Sequence, residues 1–171
     1  MGAIYVSLTV FALGLLLLFV RNVQLKKDLG ILRREEERQW ARGEFYLASK
    51  KCLELWIRKK NEGKEVVSFF QNRGIKRVAI YGLSQTGRLL YEELRKTEVA
   101  VVCGIDRSKN YSVNRLPTIR LDAVTPEGLL KDVELVVVIP IYDFPSIYDT
   151  LNEKLHGRIP IVGLDEILCE L

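Results

Sequence analysis

The residues best suited to binding chemistry lie in one short turn, at positions 82–87. Gly82 and Gly87 have the spacing of the first and third glycines of a GxGxxG pattern, and Ser84 stands at the second. In that pattern the first glycine permits a tight turn, and the third lets a helix approach a strand closely. The second glycine lets a phosphate reach the amides at the helix N-terminus. The sequence therefore predicts a phosphate-binding turn in which the Ser84 hydroxyl either contacts the ligand or caps the helix.

An acidic residue follows this turn at the distance expected for a ribose contact. Asp106 comes 24 residues after Gly82, at the end of the next apolar run. In dinucleotide-binding units a carboxylate at this place accepts hydrogen bonds from ribose hydroxyls. Arg107 beside it is suited either to a phosphate or to an ion pair in solvent. The alternative is that Gly82 and Gly87 serve packing alone and that Asp106 caps a loop, in a domain without a ligand.

The sequence lacks the residue patterns of common catalytic centres. No group of His, Cys and carboxylate residues has metal-ligand spacing, and there is neither a GxxxxGK[ST] loop nor a GxSxG elbow. The single histidine, His156, precedes Gly157 and is expected at the surface. Tyr46 and Lys50 match a Tyr-x-x-x-Lys spacing, but they precede the turn instead of following it. We therefore assign no catalytic residue and no metal, and expect a binding protein instead of an enzyme.

Apolar runs alternate with amphipathic stretches from residue 64 onward. The apolar runs expected to form strands are 77–82, 98–105, 135–141 and 159–163, with a weak strand at 119–121. The stretches expected to form helices are 63–74, 85–96 and 144–155, with a short helix at 125–130. Continuous apolar strands separated by helices predict a parallel sheet covered on both faces. The predicted fold class is α/β, a single small doubly wound (Rossmann-like) domain.

In a doubly wound sheet, ligands bind beyond the carboxyl ends of the strands, where the strand order reverses. We therefore expect contacts from the turn, from the end of the second strand and from the end of the 135–141 run. The candidate binding residues are Gly82, Leu83, Ser84, Gln85, Thr86, Gly87, Asp106, Arg107, Pro140 and Ile141.

The first 20 residues differ in composition from the rest. They contain no charged side chain, and 16 of the 20 are hydrophobic. Residues 3–20 form an apolar run that, at ~1.5 Å per residue, is roughly 27 Å of helix and close to the thickness of a bilayer core. The run has no basic start and no small-x-small cleavage site at its end. The sequence therefore predicts an uncleaved, single-pass transmembrane helix.

A basic segment follows the apolar run. Residues 21–60 contain 12 basic and 6 acidic side chains, whereas residues 61–171 contain 14 and 16. Positive charge on this flank predicts that the C-terminal side faces the cytoplasm, at the cell membrane. Three cysteines without a CxxC pair suit the same reducing compartment. Because the basic excess lies outside the predicted domain, a nucleic-acid partner is excluded.

The basic segment is expected to be helical. Leu25, Leu29 and Leu32 fall on one helical stripe, but the stripe continues to Glu36 and Gln39, so a long coiled coil is not expected. Later apolar residues at helical spacing are expected to rest on the following domain: Tyr46, Leu47, Leu53, Trp56 and Ile57.

The expected organisation is an anchor at 1–20, a charged juxtamembrane helical segment at 21–63 and a Rossmann-like nucleotide-binding domain at 64–171. Roughly 110 residues suffice for one modest core and leave no room for a separate substrate domain.

From about residue 56 to residue 167 the sequence resembles the small Rossmann-like domains of bacterial surface-polysaccharide proteins, labelled nucleoside-diphosphate-sugar epimerase-like or CoA-binding-like. The stretches that carry the resemblance are WIRKKNEGKEVVSFFQNRGIKRVAIYG, GRLLYEEL, VVCGIDRS, VVVIPIYDF and IPIVGLDEIL. The sequence is also similar to the first nucleotide-binding half-domain of membrane-bound polysaccharide dehydratases, whose catalytic domain has no counterpart here.

The resemblance implies a module that binds a nucleotide, dinucleotide or nucleotide-sugar and is accessory to cell-surface polysaccharide biosynthesis. NAD(P) or a nucleotide-sugar is the implied ligand, and a glycan-biosynthesis enzyme the implied partner. Two alternatives stay open. One is an interaction module that docks a polysaccharide enzyme without binding a ligand, and the other is an incomplete NAD(P)-dependent oxidoreductase or epimerase-like subunit completed by a partner.

Overall fold

The structure is a computed structural model that describes residues 2–107 and 116–171, without the side chains of residues 2–13, 15–20 and 41. Its helices are α1 (Gly2–Asn61), α2 (Val66–Asn72), α3 (Gln85–Leu94), α4 (Phe144–Lys154) and α5 (Leu164–Glu170). Its strands are β1 (Arg77–Tyr81), β2 (Ala100–Asp106), β3 (Thr118–Arg120), β4 (Leu135–Val138) and β5 (Ile161–Gly163).

The five strands form one parallel sheet with the order β3-β2-β1-β4-β5. The chain builds outward from β1 through β2 to β3, and then returns to the other side of β1 for β4 and β5. The strand order therefore reverses between β1 and β4, so the carboxyl ends of these two strands border the switch point. The predicted parallel α/β sheet is confirmed.

Helices cover both faces of the sheet. Alternate residues of β1 point to opposite sides, so that Val78 and Ile80 belong to one buried cluster and Ala79 and Tyr81 to the other. The first cluster also includes apolar residues of α1, α2, α3 and α5, and the second includes residues of α4. The doubly wound arrangement is therefore present, because a buried apolar cluster that includes helical residues lies on each face of the described sheet.

Differences from the expected elements occur at their ends. The strand expected at 135–141 stops at Val138, two residues before Pro140, whose nitrogen has no proton to give to a strand ladder. The short helix expected at 125–130 is a single 3-10 turn, Gly128–Leu130. Helix α5 was not predicted, although its buried residues Leu164, Ile167 and Leu168 have the i, i+3, i+4 spacing of a helix.

The described chain divides into two compact units, residues 1–44 and 45–171. In the second unit, Cys52 and Trp56 of α1 are buried in the cluster on the first sheet face, whereas Tyr46 and Ile57 are exposed. The core of the sheet domain therefore includes helical residues that precede position 64.

Residues 3–20, on which the predicted membrane anchor rests, lie within α1, but most of their side chains are outside the described part of the chain. Among the residues that are described, no helix is both long and apolar enough to cross a membrane.

All three cysteines are free thiols. Burial raises the pKa of Cys103 to about 11, and burial together with the nearby Asp165 and Cys169 raises the pKa of Cys52 to about 11. Cys169 is exposed. Cys103 is thus a small buried hydrophobe within β2.

The two tryptophans of the chain provide a matched test of where the core begins. Trp56→Ala should lower the free energy of unfolding by about 3–5 kcal/mol, because it removes a large side chain that is 5% exposed. Trp40→Ala should change it by no more than about 0.5 kcal/mol, because Trp40 is 72% exposed. Urea unfolding of the full chain in detergent micelles, followed by circular dichroism, measures both. Equal losses for the two variants would contradict the placement of Trp56 in the core.

Candidate functional site

The turn after β1 is held by two glycines that leave no room for a side chain. Gly82 has a φ of +91°, which glycine adopts readily, and its N–H donates to the Ile105 carbonyl oxygen at 2.8 Å. A Cβ on Gly87 would lie 2.1 Å from the Gly82 carbonyl oxygen, and a Cβ on Gly82 would lie 2.8 Å from Pro140 Cδ. The turn, the start of α3 and the segment after β4 are therefore in direct contact.

The next residue turns inward and connects the turn to β2. The Leu83 side chain is fully buried against Gly104, where an added Cβ would lie 2.6 Å from Leu83 Cδ1. The Leu83 N–H donates to Asp106 Oδ2 at 3.0 Å. The buried Asp106 carboxylate therefore fixes the backbone of the turn, so at least one of its oxygens has a structural task.

Helix α3 begins at the carboxyl edge of the sheet. Ser84 is its N-cap residue and makes no side-chain capping hydrogen bond, although its carbonyl accepts the Arg88 N–H at 3.0 Å. Gln85 is exposed, whereas Thr86 is buried. The first amides of a helix carry partial positive charge and favour an anion. The helix start thus offers backbone donors beside a half-buried hydroxyl.

Arg107 bridges the ends of three strands. Its Nε donates to the Tyr81 hydroxyl at 3.0 Å, and its Nη2 donates to Asp143 Oδ2 at 3.1 Å. Burial raises the pKa of Tyr81, and the Arg107 guanidinium acts against that rise. Burial acts to lower the pKa of Arg107, but its contacts with Tyr81 and Asp143 prevail and raise it. Arg107 is therefore a paired cation, and a phosphate would have to compete with Asp143 for it.

The segment after β4 completes this edge of the sheet. The Ile139 N–H donates to the Tyr81 carbonyl oxygen at 3.0 Å, which continues the pairing of β4 with β1 beyond the strand. Pro140 lies against Gly82, and half-buried Ile141 packs on the core cluster of the first face.

The structure thus brings all ten predicted residues to one edge of the sheet, where they differ in solvent exposure. The exposed or half-buried groups are Ser84, Gln85, Arg107, Pro140 and Ile141; the buried groups are Gly82, Leu83, Thr86, Gly87 and Asp106. The binding of a ligand by these residues stays a prediction.

Two residues of this edge were missed from the sequence. Tyr81 is the last residue of β1 and Asp143 follows β4, and both contact Arg107. The parallel sheet itself was the available signal, because polar groups that follow neighbouring parallel strands meet at the same edge. Tyr81 was hidden by its position in an apolar run, and its ring is buried as that run suggests.

A separate groove of about 560 Å³ lies between the end of α1, the start of α2 and the outer side of α3. None of the ten predicted residues lines it. Trp56 and Leu89 are among its apolar lining residues, and Lys60 and Glu93 pair across it at 2.6 Å. The groove and the carboxyl edge are therefore different places on the domain.

The geometry of this edge matches a dinucleotide-binding turn only in part. The tight turn, the close helix–strand approach and the partly exposed helix start are features that phosphate sites share. Ser84 narrows the approach where a second glycine would admit a pyrophosphate, and Asp106 Oδ2 already accepts the Leu83 N–H. Within the described residues, no group of three or more His, Cys, Asp or Glu side chains is placed to hold a metal ion.

Comparison with known proteins gives no relative for this chain: no family model, no curated protein and no solved structure matches it.

The structural task of Asp106 can be separated from its charge. Asp106→Ala should lower the free energy of unfolding by about 1–3 kcal/mol, because it leaves the buried Leu83 N–H without an acceptor. Asp106→Asn should recover most of this loss, because the amide oxygen is still an acceptor at the same place. Urea unfolding of both full-length variants measures the difference. An Ala variant as stable as the parent protein would show that the carboxylate does not hold the turn.

Proposed function

We propose that this protein binds the phosphate groups of a nucleotide or nucleotide-sugar at the carboxyl edge of its sheet. The observation that carries the proposal is the start of α3, which lies at the switch point with an N-cap serine whose hydroxyl makes no capping bond. Backbone amides and a hydroxyl can both donate hydrogen bonds to phosphate oxygens.

The diphosphate is the ligand feature that these donors suit. It is common to NAD(P), to nucleotide-sugars and to CoA, so the base and the sugar determine which of them binds. Asp106 Oδ2 already accepts the Leu83 N–H, so Asp106 could contact a ribose only in addition to this hydrogen bond. Arg107 would reach a phosphate only by exchanging its ion pair with Asp143. A nucleotide that needs only the turn and the helix start is therefore favoured over a full dinucleotide.

The proposed location is the cell membrane, with residues 3–20 as a single-pass anchor and the sheet domain in the cytoplasm. The uncharged run and its basic flank support this location. We also propose an accessory role in surface-polysaccharide biosynthesis, with a glycan-biosynthesis enzyme as partner. Only the sequence resemblance supports this role.

A second candidate function is an interaction module without a ligand. It is favoured by the internal pairing of the polar side chains at the edge, since Asp106 bonds the turn and Arg107 bonds Tyr81 and Asp143. Ligand titration separates the two candidates directly.

Adding a negative charge at the helix start tests the proposed phosphate site. Gln85→Glu should weaken nucleotide binding about tenfold, which corresponds to about 1.4 kcal/mol, because the new carboxylate repels the phosphates. The same change should not harm folding, because Gln85 is exposed and an acidic residue in the first turn favours a helix. Calorimetric titration of the full chain in detergent micelles with NAD(H), NADP(H), UDP-sugars and CoA measures the affinities.

Gln85→Ala is the matched neutral control and should bind as the parent protein does. If no nucleotide gives a heat of binding at millimolar concentration, the proposed phosphate site is refuted. The function as an interaction module without a ligand would then be the remaining candidate. Equal binding by the Glu and Ala variants would place a nucleotide elsewhere on the domain.

The proposed anchor is tested by charge within the apolar run. Leu16→Arg with Leu17→Arg should move the protein from the carbonate-resistant membrane fraction to the soluble fraction, because charges in mid-bilayer are costly. Leu29→Arg with Leu32→Arg, outside the run, should leave the fractionation unchanged. In intact cells the exposed Cys169 should react with a membrane-impermeant maleimide only after lysis. Labelling of Cys169 before lysis would show that the predicted orientation is wrong. Recovery of the parent protein in the soluble fraction would show that residues 3–20 are not an anchor.

A further inference from the structure

Three leucines lie on one side of the exposed segment of α1 that follows the apolar run, and we call this row, Leu25, Leu29 and Leu32, the leucine seam. Leu25, Leu29 and Leu32 are 53%, 60% and 56% exposed, respectively. Their spacings of four and three residues place them within about 60° of one another around the helix, at ~100° per residue. Three neighbouring leucines exposed to this extent are an apolar stripe that a helix ordinarily buries against a partner.

The seam has the heptad positions of a two-stranded coiled coil. With Leu29 at position a, Leu25 and Leu32 are at position d, and Asn22 is at the preceding a. In the sequence the same alternation extends back to Leu18, Leu15 and Phe11. An asparagine at a single a position is typical of parallel dimers, in which the two amides face each other. The pattern ends at Glu36 and Gln39, so the seam is short.

The flanks of the seam carry opposite charges. Lys26 and Arg33 occupy the e positions on one side, and Asp28 and Glu35 occupy g positions on the other. In a parallel pair the e flank of one helix faces the g flank of its partner, so the basic side meets the acidic side along both edges. In an antiparallel pair each flank meets its own kind, which sets Lys26 and Arg33 of one helix against the same cations of the other.

Specific pairs follow from the parallel register. A g residue faces the e residue five positions later on the other helix, so Asp28 faces Arg33 twice by symmetry. Arg21 is at the g position one heptad earlier and faces Lys26, which is the repulsive pair of the seam. All these side chains are exposed in the single chain and therefore accessible to a second copy.

From the seam and its flanks we infer that this protein forms a parallel homodimer through the stretch of α1 around Leu25, Leu29 and Leu32. The occupant of the apolar stripe is the identical stripe of a second copy, in register. The contact is independent of the nucleotide site proposed above, which lies in the other compact unit. A seam of this length is marginal in isolated peptides, so the full chain is the form in which it assembles.

Site-specific disulfide formation tests both the seam and its direction. In a Cys169→Ser background, single cysteines are placed at Leu25, Leu29 and Leu32 of the full chain in membranes, and oxidation at mildly alkaline pH is followed by non-reducing electrophoresis. Cys52 and Cys103 stay silent there, because they are buried and their pKa values are raised to about 11. Each seam cysteine should give a disulfide-linked dimer several-fold faster than the matched controls Lys27→Cys and Arg34→Cys, which lie on the opposite side of the helix.

The three positions distinguish the possible arrangements. Cross-linking at Leu29 but not at Leu25 and Leu32 would refute the parallel register, because an antiparallel pair brings only its central residue opposite itself. Equal rates at the seam and control positions would mean random collision and refute the seam. The absence of a dimer at every position would refute the homodimer.

A second test exchanges the charges of Asp28 and Arg33 and leaves the leucines of the seam unchanged. Asp28→Arg alone and Arg33→Asp alone should each reduce the dimer fraction several-fold in sedimentation of the detergent-solubilised full chain. The double variant should restore the dimer fraction, because the opposite charges again face each other. If the double variant dimerises no better than the single ones, the parallel pairing of Asp28 with Arg33 is wrong. These exposed positions lie outside the sheet domain, so the nucleotide titration is expected to be the same for all three variants.

Discussion

The close approach of Gly87 to the Gly82 carbonyl determines the geometry of the candidate site. The space that a Cβ on Gly87 would occupy is filled by that carbonyl oxygen at 2.1 Å, so helix α3 begins in contact with the end of β1. From this contact follow the direction of α3, the inward position of Leu83 and the presentation of the first helical amides at the sheet edge. A longer side chain at position 87 would displace the helix from the strand and change each of these features.

The sheet and most of its helices were predictable because their signals are local. β1 and β4 are continuous apolar runs, and each is buried on both faces as such a run suggests. The parallel direction of neighbouring strands follows from their connections, since α3 joins β1 to β2 and α4 joins β4 to β5. The limits of the elements were less predictable. Pro140 cannot donate a hydrogen bond to a strand ladder, and α5 begins directly after β5 without a separating turn.

The candidate site was predictable in position but not in its internal pairing. The spacing of Gly82, Gly87 and Asp106 indicated where the edge lies, because glycine geometry is a backbone property. The sequence did not show that Asp106 bonds the Leu83 amide, or that Arg107 joins Tyr81 to Asp143. Such pairs depend on distances between strand ends that are set by the whole sheet. Asp106 and Arg107 therefore stabilise the fold through hydrogen bonds that a ligand would have to share or replace. For this reason the proposed function depends mainly on the backbone amides at the start of α3.

The contact between Leu83 and Gly104 has a consequence for the variability of this domain. Leu83 is fully buried, and its methyl groups occupy the place where a side chain at position 104 would begin. The turn after β1 and strand β2 therefore share one volume at these two positions, although 21 positions separate them in the sequence. A side chain at position 104 is compatible with this backbone only when residue 83 becomes smaller, and Gly104 cannot itself become smaller to admit a larger residue at position 83. A change at position 104 on β2 consequently has to be made together with a change of the turn at position 83.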